Sequence, residues 1–323
     1  MIMNKFHPLT ITSINRLTAD AVAISFNVSN NTLFQFEAGQ YITIKKDING
    51  EEVRRAYSIC SMNSEGVTIG VKKVETGRMS SFLTQSVKEG DVLNVMPPSG
   101  NFVIKGDNKH IVGICAGSGV TPIIAMIKTE LAKPSDAKFT LIYGNKTKDS
   151  SMFAEELHQL QINNSDRLKI HNAYSREGVA GAINGRLDKN TIQQLLNTFM
   201  SLKTADAYFI CGPGELIDNT NELLLLNNIN QKKINFERFT TVEKTDLIDI
   251  DSDEIVSNVL VSVDGEDFEF TLSNKGQTIL DAAMEQGADV PFSCKGAVCC
   301  TCRAKVMEGS VTMDANYSLS EDE

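Results

Sequence analysis

Four cysteines fall within nine residues, Cys294-Lys-Gly-Ala-Val-Cys299-Cys300-Thr-Cys302, and three of them stand at C-x4-C-x2-C spacing. A loop of that plant-type spacing wraps an inorganic two-iron, two-sulfur centre and turns several thiolates onto two irons. A fourth thiolate is needed, and no cysteine follows Cys302 in the 21 residues that end at Glu323. The loop points to a redox centre and leaves its last ligand unassigned.

At 323 residues the chain is too long to be that loop's domain alone and suggests two or three domains. A hydrophobic share of 41% with 22% charged residues is that of a packed protein, which excludes large-scale disorder. No tract approaches the roughly 18 apolar residues that would cross a bilayer, and Met1 to Thr10 holds no signal-like apolar core. A cytoplasmic protein without membrane insertion is expected. Seven cysteines, an odd number, fit thiols and metal ligands in a reducing compartment better than a disulfide framework.

Charge is uneven. From Glu243 onward 18 acidic residues face 5 basic ones, a net of −13, whereas the preceding residues carry 23 against 26, a net of +3. Such a C-terminal segment repels nucleic acid and can steer toward a basic partner, or it simply keeps a small domain soluble.

Residues 1–105 read as short strands broken by turns, among them Ala21–Val28, Gln40–Ile44, Tyr57–Cys60, Val67–Val71 and Val92–Val95, which predicts a small antiparallel β-barrel. In residues 106–239 strand-like His110–Cys115, Phe139–Tyr143, Leu168–Tyr174 and Ala207–Cys211 alternate with helical stretches near 122–132, 151–160, 188–200 and 214–228. That alternation predicts an α/β domain with a parallel sheet covered on both faces. Residues 240–256 read as an acidic linker. In 257–323, Val259–Val263 and Phe268–Leu272 flank the hairpin signal Asp264-Gly265, and Thr278–Gln286 looks helical with Gly287 as its stop.

Arg55-Ala-Tyr57-Ser58 and Gly77-Arg-Met79-Ser80-Ser81 together offer an aromatic face, a cation, backbone amides and a hydroxyl, the groups a flavin requires. A strand tyrosine also serves as plain core. Ile111–Cys115 runs into Ala-Gly117-Ser-Gly119-Val-Thr121-Pro122 and then a helix, so the glycines either allow close approach of a phosphate at a helix N-terminus or form a simple turn. Pro122 replaces the last glycine of the usual dinucleotide pattern. Ser175-Arg176 and Cys211-Gly212-Pro213-Gly214 follow predicted strand ends, where open parallel sheets bind ligands. An arginine beside a hydroxyl suits the 2′-phosphate of NADP, unless Arg176 pairs with Glu177 or another surface carboxylate. Tyr143-Gly-Asn145-Lys146 lacks the carboxylate that would hold an NAD ribose, so NADP is favoured over NAD.

With Phe236-Glu-Arg-Phe239 and the cysteine loop, these motifs occur in the order of the ferredoxin–NADP reductase superfamily, and nearly the whole chain resembles its oxygenase-reductase members with a C-terminal plant-type ferredoxin domain. The resemblance implies a multidomain fold: an FAD barrel, an NADP domain and a β-grasp ferredoxin-like domain. It implies that Arg55 holds the FAD pyrophosphate with groups around Gly77, Met79 and Ser80, that Tyr57 lies on the flavin, and that Ser58 reaches its N5. Val71 and Lys72 would line the ribityl side. Gly117, Gly119, Thr121 and Pro122 would carry the nucleotide, Ser175 and Arg176 its 2′-phosphate, and Cys211, with Gly212 and Pro213, would sit by the transferred hydride. Phe239 would cover the flavin's other face, and Cys294, Cys299 and Cys302 would ligate the cluster, with Cys300 left out. Relatives of this kind carry a fourth cysteine some thirty residues after the third, so a C-terminally shortened form is expected.

The implied activity is electron transfer from NADPH through FAD and the 2Fe-2S centre to an oxygenase or hydroxylase component, with phenylacetyl-CoA epoxidase or a related di-iron enzyme as acceptor. Two alternatives stay open: a flavin-only NADPH diaphorase, and a structural zinc module built on the four clustered cysteines. His7, His110, His158 and His171 form no spaced pair, which argues against a metal hydrolase.

Overall fold

The computed structural model describes residues 5–29, 31–239, 254–317 and 319. Six antiparallel strands form the first sheet: β1 (His7–Thr18), β2 (Ala21–Phe26), β3 (Tyr41–Ile48), β4 (Glu51–Ser58), β5 (Thr68–Lys72) and β6 (Val92–Ser99), in the order β4-β3-β6-β1-β2-β5. Its two edges meet through the Ile59–Ile69 bridge and the bond from Cys60 N to Thr68 O at 2.8 Å, which closes the sheet into a barrel. Alternating Ile24, Ile42, Ile44, Ile69 and Val95 fill the interior. Helix α1 (Arg78–Gln85) plugs this core with Met79 and Leu83.

The second sheet is parallel, in the order β10-β9-β8-β7-β11-β12, built from β7 (His110–Ala116), β8 (Lys138–Asn145), β9 (Leu168–Tyr174), β10 (Ile183–Asn184), β11 (Ala207–Gly212) and β12 (Ile234–Arg238). Helices α2 (Val120–Ala132) and α3 (Ala154–Asn163) cover one face, and α4 (Lys189–Thr198) and α5 (Gly214–Leu226) the other. The strand order reverses between β7 and β11, and a crevice for a ligand forms at such a switch point. The α2 face shares its core with the barrel residues Ala21, Ala23, Cys60 and Phe102, so barrel and sheet are packed as one body. Gly70 permits the closest approach: a Cβ there would stand 2.5 Å from Thr121 Cγ2.

The C-terminal unit carries the hairpin β13 (Val256–Val263) and β14 (Glu266–Ser273), with Asp264 and Gly265 both at positive φ as a tight two-residue turn demands. Thr278 caps α6 (Ile279–Glu285), and the cysteine loop follows. Of the expected linker, 240–253 lies outside the described residues, and Val256 already belongs to β13. Among the described residues no helix is long and apolar enough to cross a membrane.

Candidate functional site

The mouth of the crevice is built where three strand ends align. Cys115, Cys211 and Glu237 are register partners across β7, β11 and β12, so they form one row at the switch point. Ser58, the last residue of β4, reaches this row from the barrel: its Oγ lies 3.2 Å from Glu237 Oε2. Burial raises the Glu237 carboxyl to about 8, against the opposing pull of the Ser58 hydroxyl, so the group is protonated at neutral pH. Burial likewise holds Cys211 well above the usual thiol range, and Cys211 is therefore a neutral thiol. The sequence motifs point to Ser58 and Cys211 at this place but assign no role to Glu237, which lies within the Phe236–Phe239 run.

Tyr57 precedes Ser58 on β4 and is part-buried, its phenol pushed up by desolvation. Arg55 is exposed, and its Nη1 donates to the carbonyl of Arg54 at 2.7 Å. Val71 and Met79 point into the barrel core, so their side chains do not line the crevice. Ser80 Oγ lies 3.1 Å from Val74 N and 3.2 Å from Gly77 O, bracing the turn before α1. Lys72 is engaged by Ser150 O at 3.2 Å and Asp20 Oδ1 at 3.3 Å, which ties the barrel to the nucleotide domain.

Helix ends separate the phosphate candidates from the rest. Among the described α-helices only α1, opened by Gly77, and α2, opened by Gly119, have neither a capping side chain nor an acid in the first turn. No side chain or acid therefore competes with an anion at either end, although in α2 Val120 N already donates to Gly117 O and Pro122 carries no N–H. By contrast α4 and α6 are capped by Asp188 and Thr278, and α3 and α5 begin with glutamates. A Cβ on Gly119 would fall 2.2 Å from Cys211 O, so that position must be glycine, and Gly117 adopts φ +57°, a conformation glycine takes most readily. Thr121 Oγ1 donates to Ser118 O at 2.9 Å, and Pro122 is buried at the start of α2. Gly212 and Pro213 lead into α5.

Ser175 and Arg176 are exposed past the end of β9, fixed by backbone bonds to Asn145 O (3.0 Å) and Lys146 O (2.9 Å). Glu177 turns away to accept from the Lys148 amide, so the Arg176–Glu177 pair does not form. Phe239, 41% exposed, is the last residue described before the linker.

The cysteine loop has the geometry of an anion cradle. Lys295, Ala297 and Cys300 all take positive φ, a backbone form common at iron–sulfur sites. Gly296 N donates to Cys294 Sγ at 3.3 Å. Cys294 and Cys299 share a hydrogen bond that lowers the Cys299 thiol's pKa, with Thr301 adding to it, and raises that of Cys294. Ser293 is buried, and its Oγ has no partner, a donor waiting for an acceptor beside Cys294. Among the described residues no three Cys, His, Asp or Glu close around a point that could hold one ion. A two-iron centre takes its thiolates in pairs on separate irons, so the Cys294–Cys299 pair with Cys302 apart suits it better than a lone zinc.

Comparison with known proteins agrees with this assembly. Residues 8–104 match the family described as oxidoreductase FAD-binding domain, residues 114–222 the oxidoreductase NAD-binding domain, and residues 261–323 the 2Fe-2S iron-sulfur cluster binding domain. The chain is 38% identical over 332 positions to a subunit of the 1,2-phenylacetyl-CoA epoxidase of Escherichia coli (strain K12), covering 99% of this chain and 92% of that protein. This chain belongs to the oxygenase-reductase members of the ferredoxin–NADP reductase superfamily. Within that family it is also 30% identical to the ferredoxin reductase component of 3-ketosteroid-9-alpha-monooxygenase from Rhodococcus rhodochrous, over 95% of this chain and 87% of the relative. Phthalate dioxygenase reductase shares the fold, with a TM-score of 0.65 and 23% identity over 98% of this chain and 91% of that one. As a family member the chain is an NAD(P)H-dependent oxidoreductase that uses FAD, a pyridine nucleotide and a 2Fe-2S centre.

Proposed function

We propose that this reductase draws electrons from NADPH and delivers them to the oxygenase component of a di-iron system, with phenylacetyl-CoA epoxidase the first acceptor to test. When bound, FAD and the 2Fe-2S centre supply the exchange of one hydride, two electrons together, for two single-electron transfers. The observation that carries this reading is the convergence at one crevice of Ser58 from the barrel, Cys211 and Glu237 from the parallel sheet, and the cysteine loop against the same barrel.

The chain's own residues then divide the work between residues 1–105, 106–239 and 257–323. Arg55 and the amides at Gly77 to Ser80 hold the flavin's pyrophosphate, and Tyr57 gives its ring a face. Gly117, Gly119, Thr121 and Pro122 hold the nucleotide at the α2 N-terminus, with Ser175 and Arg176 on the 2′-phosphate. Cys211 stays neutral beside the nicotinamide. Glu237 keeps its carboxyl proton while its Oε2 accepts from Ser58 Oγ, so protonation changes at the flavin can be met without opening the crevice to water. Phe239 shields the flavin until nicotinamide arrives. Seven free cysteines support a reducing, cytoplasmic setting.

The test is spectroscopic and then functional. Purified protein is expected to show flavin bands with broad iron–sulfur absorption, both bleached by NADPH, and to sustain turnover of the epoxidase components. Flavin bands alone with full dye reduction would reduce the reading to a diaphorase.

A further inference from the structure

Among the described residues three contacts tie the cysteine loop and its flanks to the barrel and sheet, and on the barrel and sheet side none comes from a residue assigned above to a cofactor. Tyr41 opens β3, where its register partners are Ser58 on β4 and Ser99 on β6. Its backbone therefore neighbours the residue that meets Glu237. Its phenol reaches the other way: it donates to the carbonyl of Cys299 and lies 2.9 Å from Thr301 Oγ1. Gly100 leaves space for the ring, since a Cβ there would stand 3.0 Å from Tyr41 Cε1. The ring is 5% exposed. Arg54, also buried, lays its guanidinium 4.0 Å from the centre of Phe292, and Lys295 Nζ stands 4.7 Å from the same ring. Arg238 lies 5.0 Å from the Tyr317 ring.

Of these, only the tyrosine contact touches the loop between two proposed ligands. A buried hydroxyl that donates to a main-chain carbonyl is costly to leave unpaired, and it holds its acceptor to one geometry. Electron transfer between two centres weakens steeply with their separation, so a residue that fixes this edge of the loop governs the rate without joining the chemistry.

We propose that Tyr41 is a positioning residue for electron transfer, holding the Cys299–Thr301 edge of the cysteine loop against the strand pair that carries Ser58. The inference rests on the relay from flavin to cluster proposed above. The relay is tested first, on the unaltered protein, by its iron–sulfur absorption.

Tyr41→Phe keeps the ring and removes the hydroxyl. In the holoenzyme, amide hydrogen exchange across residues 294–302 is expected to rise about tenfold, with exchange across 110–145 unchanged. After mixing with NADPH, flavin bleaching is expected at the unaltered rate, while the iron–sulfur bleaching that follows slows by about tenfold. Thr301→Val, which removes the second partner from the loop side, is expected to raise exchange in the same segment and nowhere else. Unchanged exchange in both variants overturns the proposal. So does equal slowing of flavin and iron–sulfur bleaching, which would mark Tyr41 as part of the general scaffold.

Discussion

Glu237 is the residue whose chemistry depends most on its surroundings. Its folded pKa, raised to about 8 from an ordinary 4.5, means that the folded protein keeps a proton the unfolded chain releases. The associated stability is complete below about pH 4.5 and is lost as the pH climbs through about 8. Thermal unfolding of the wild type is therefore expected to drop more between pH 5 and 9 than that of Glu237→Gln, which stays neutral throughout. The same variant is expected to slow NADPH-driven flavin reduction by about a hundredfold, the usual range for removing a positioned acid. A rate unchanged in Glu237→Gln would remove the proton role. At the nucleotide's far end, Arg176→Ala is expected to raise KM for NADPH by about tenfold or more and leave KM for NADH nearly unchanged, since a charged hydrogen bond contributes about 1.5–3 kcal/mol. Ser58, Cys211, Arg176 and the glycines are legible in the sequence because each sits in a short run with its own chemistry. Glu237 is not, because a glutamate at a strand end looks like any surface carboxylate until burial and Ser58 single it out.

At the level of elements, most strands and helices with a strong period agree with expectation; β1, β10, β12 and α1 are not in the expected set, and the expected strand Tyr57–Cys60 is the tail of the longer β4. Strand β1 (His7–Thr18) is absent from the expected set: Leu9 and Ile11 alternate with exposed threonines, but beyond Ile11 the strand bends at register shifts near Ser13 and Thr18 and its burial loses the two-residue period. Helix α1 falls in a run whose sequence signals cofactor chemistry alone, since eight residues with two serines and a threonine give little helical signal without the barrel core that Met79 and Leu83 fill. Between elements, Lys128 of α2 is largely enclosed and bridges Glu65 of the barrel at 3.0 Å and Glu156 of α3 at 2.9 Å. Removing it leaves two carboxylates facing each other. Lys128→Ala is expected to destabilise the packed barrel and sheet by about 1–3 kcal/mol, read as a lower denaturation midpoint at unchanged slope.

Across the whole molecule, charge and cofactor order divide the labour: a near-neutral body receives the nucleotide, and an acidic C-terminal segment presents the iron–sulfur loop. Delivery to a basic acceptor is expected to weaken as ionic strength rises, since the screening length contracts from about 10 Å at 0.1 M salt to about 3 Å at 1 M. A rising KM for the acceptor component measures this, and a KM indifferent to salt would show that charge does not guide the encounter. The amino-acid sequence alone determined which cofactors the chain takes and in what order its domains run. Each of those signals is local: a cysteine spacing, or a strand, glycine turn and helix in succession. Only the tertiary structure decided which residues meet. Ser58 and Glu237 are separated by 179 positions, and Tyr41 and Cys299 by 258. Contacts that distant are set by how packed faces close on one another, and no local period records them.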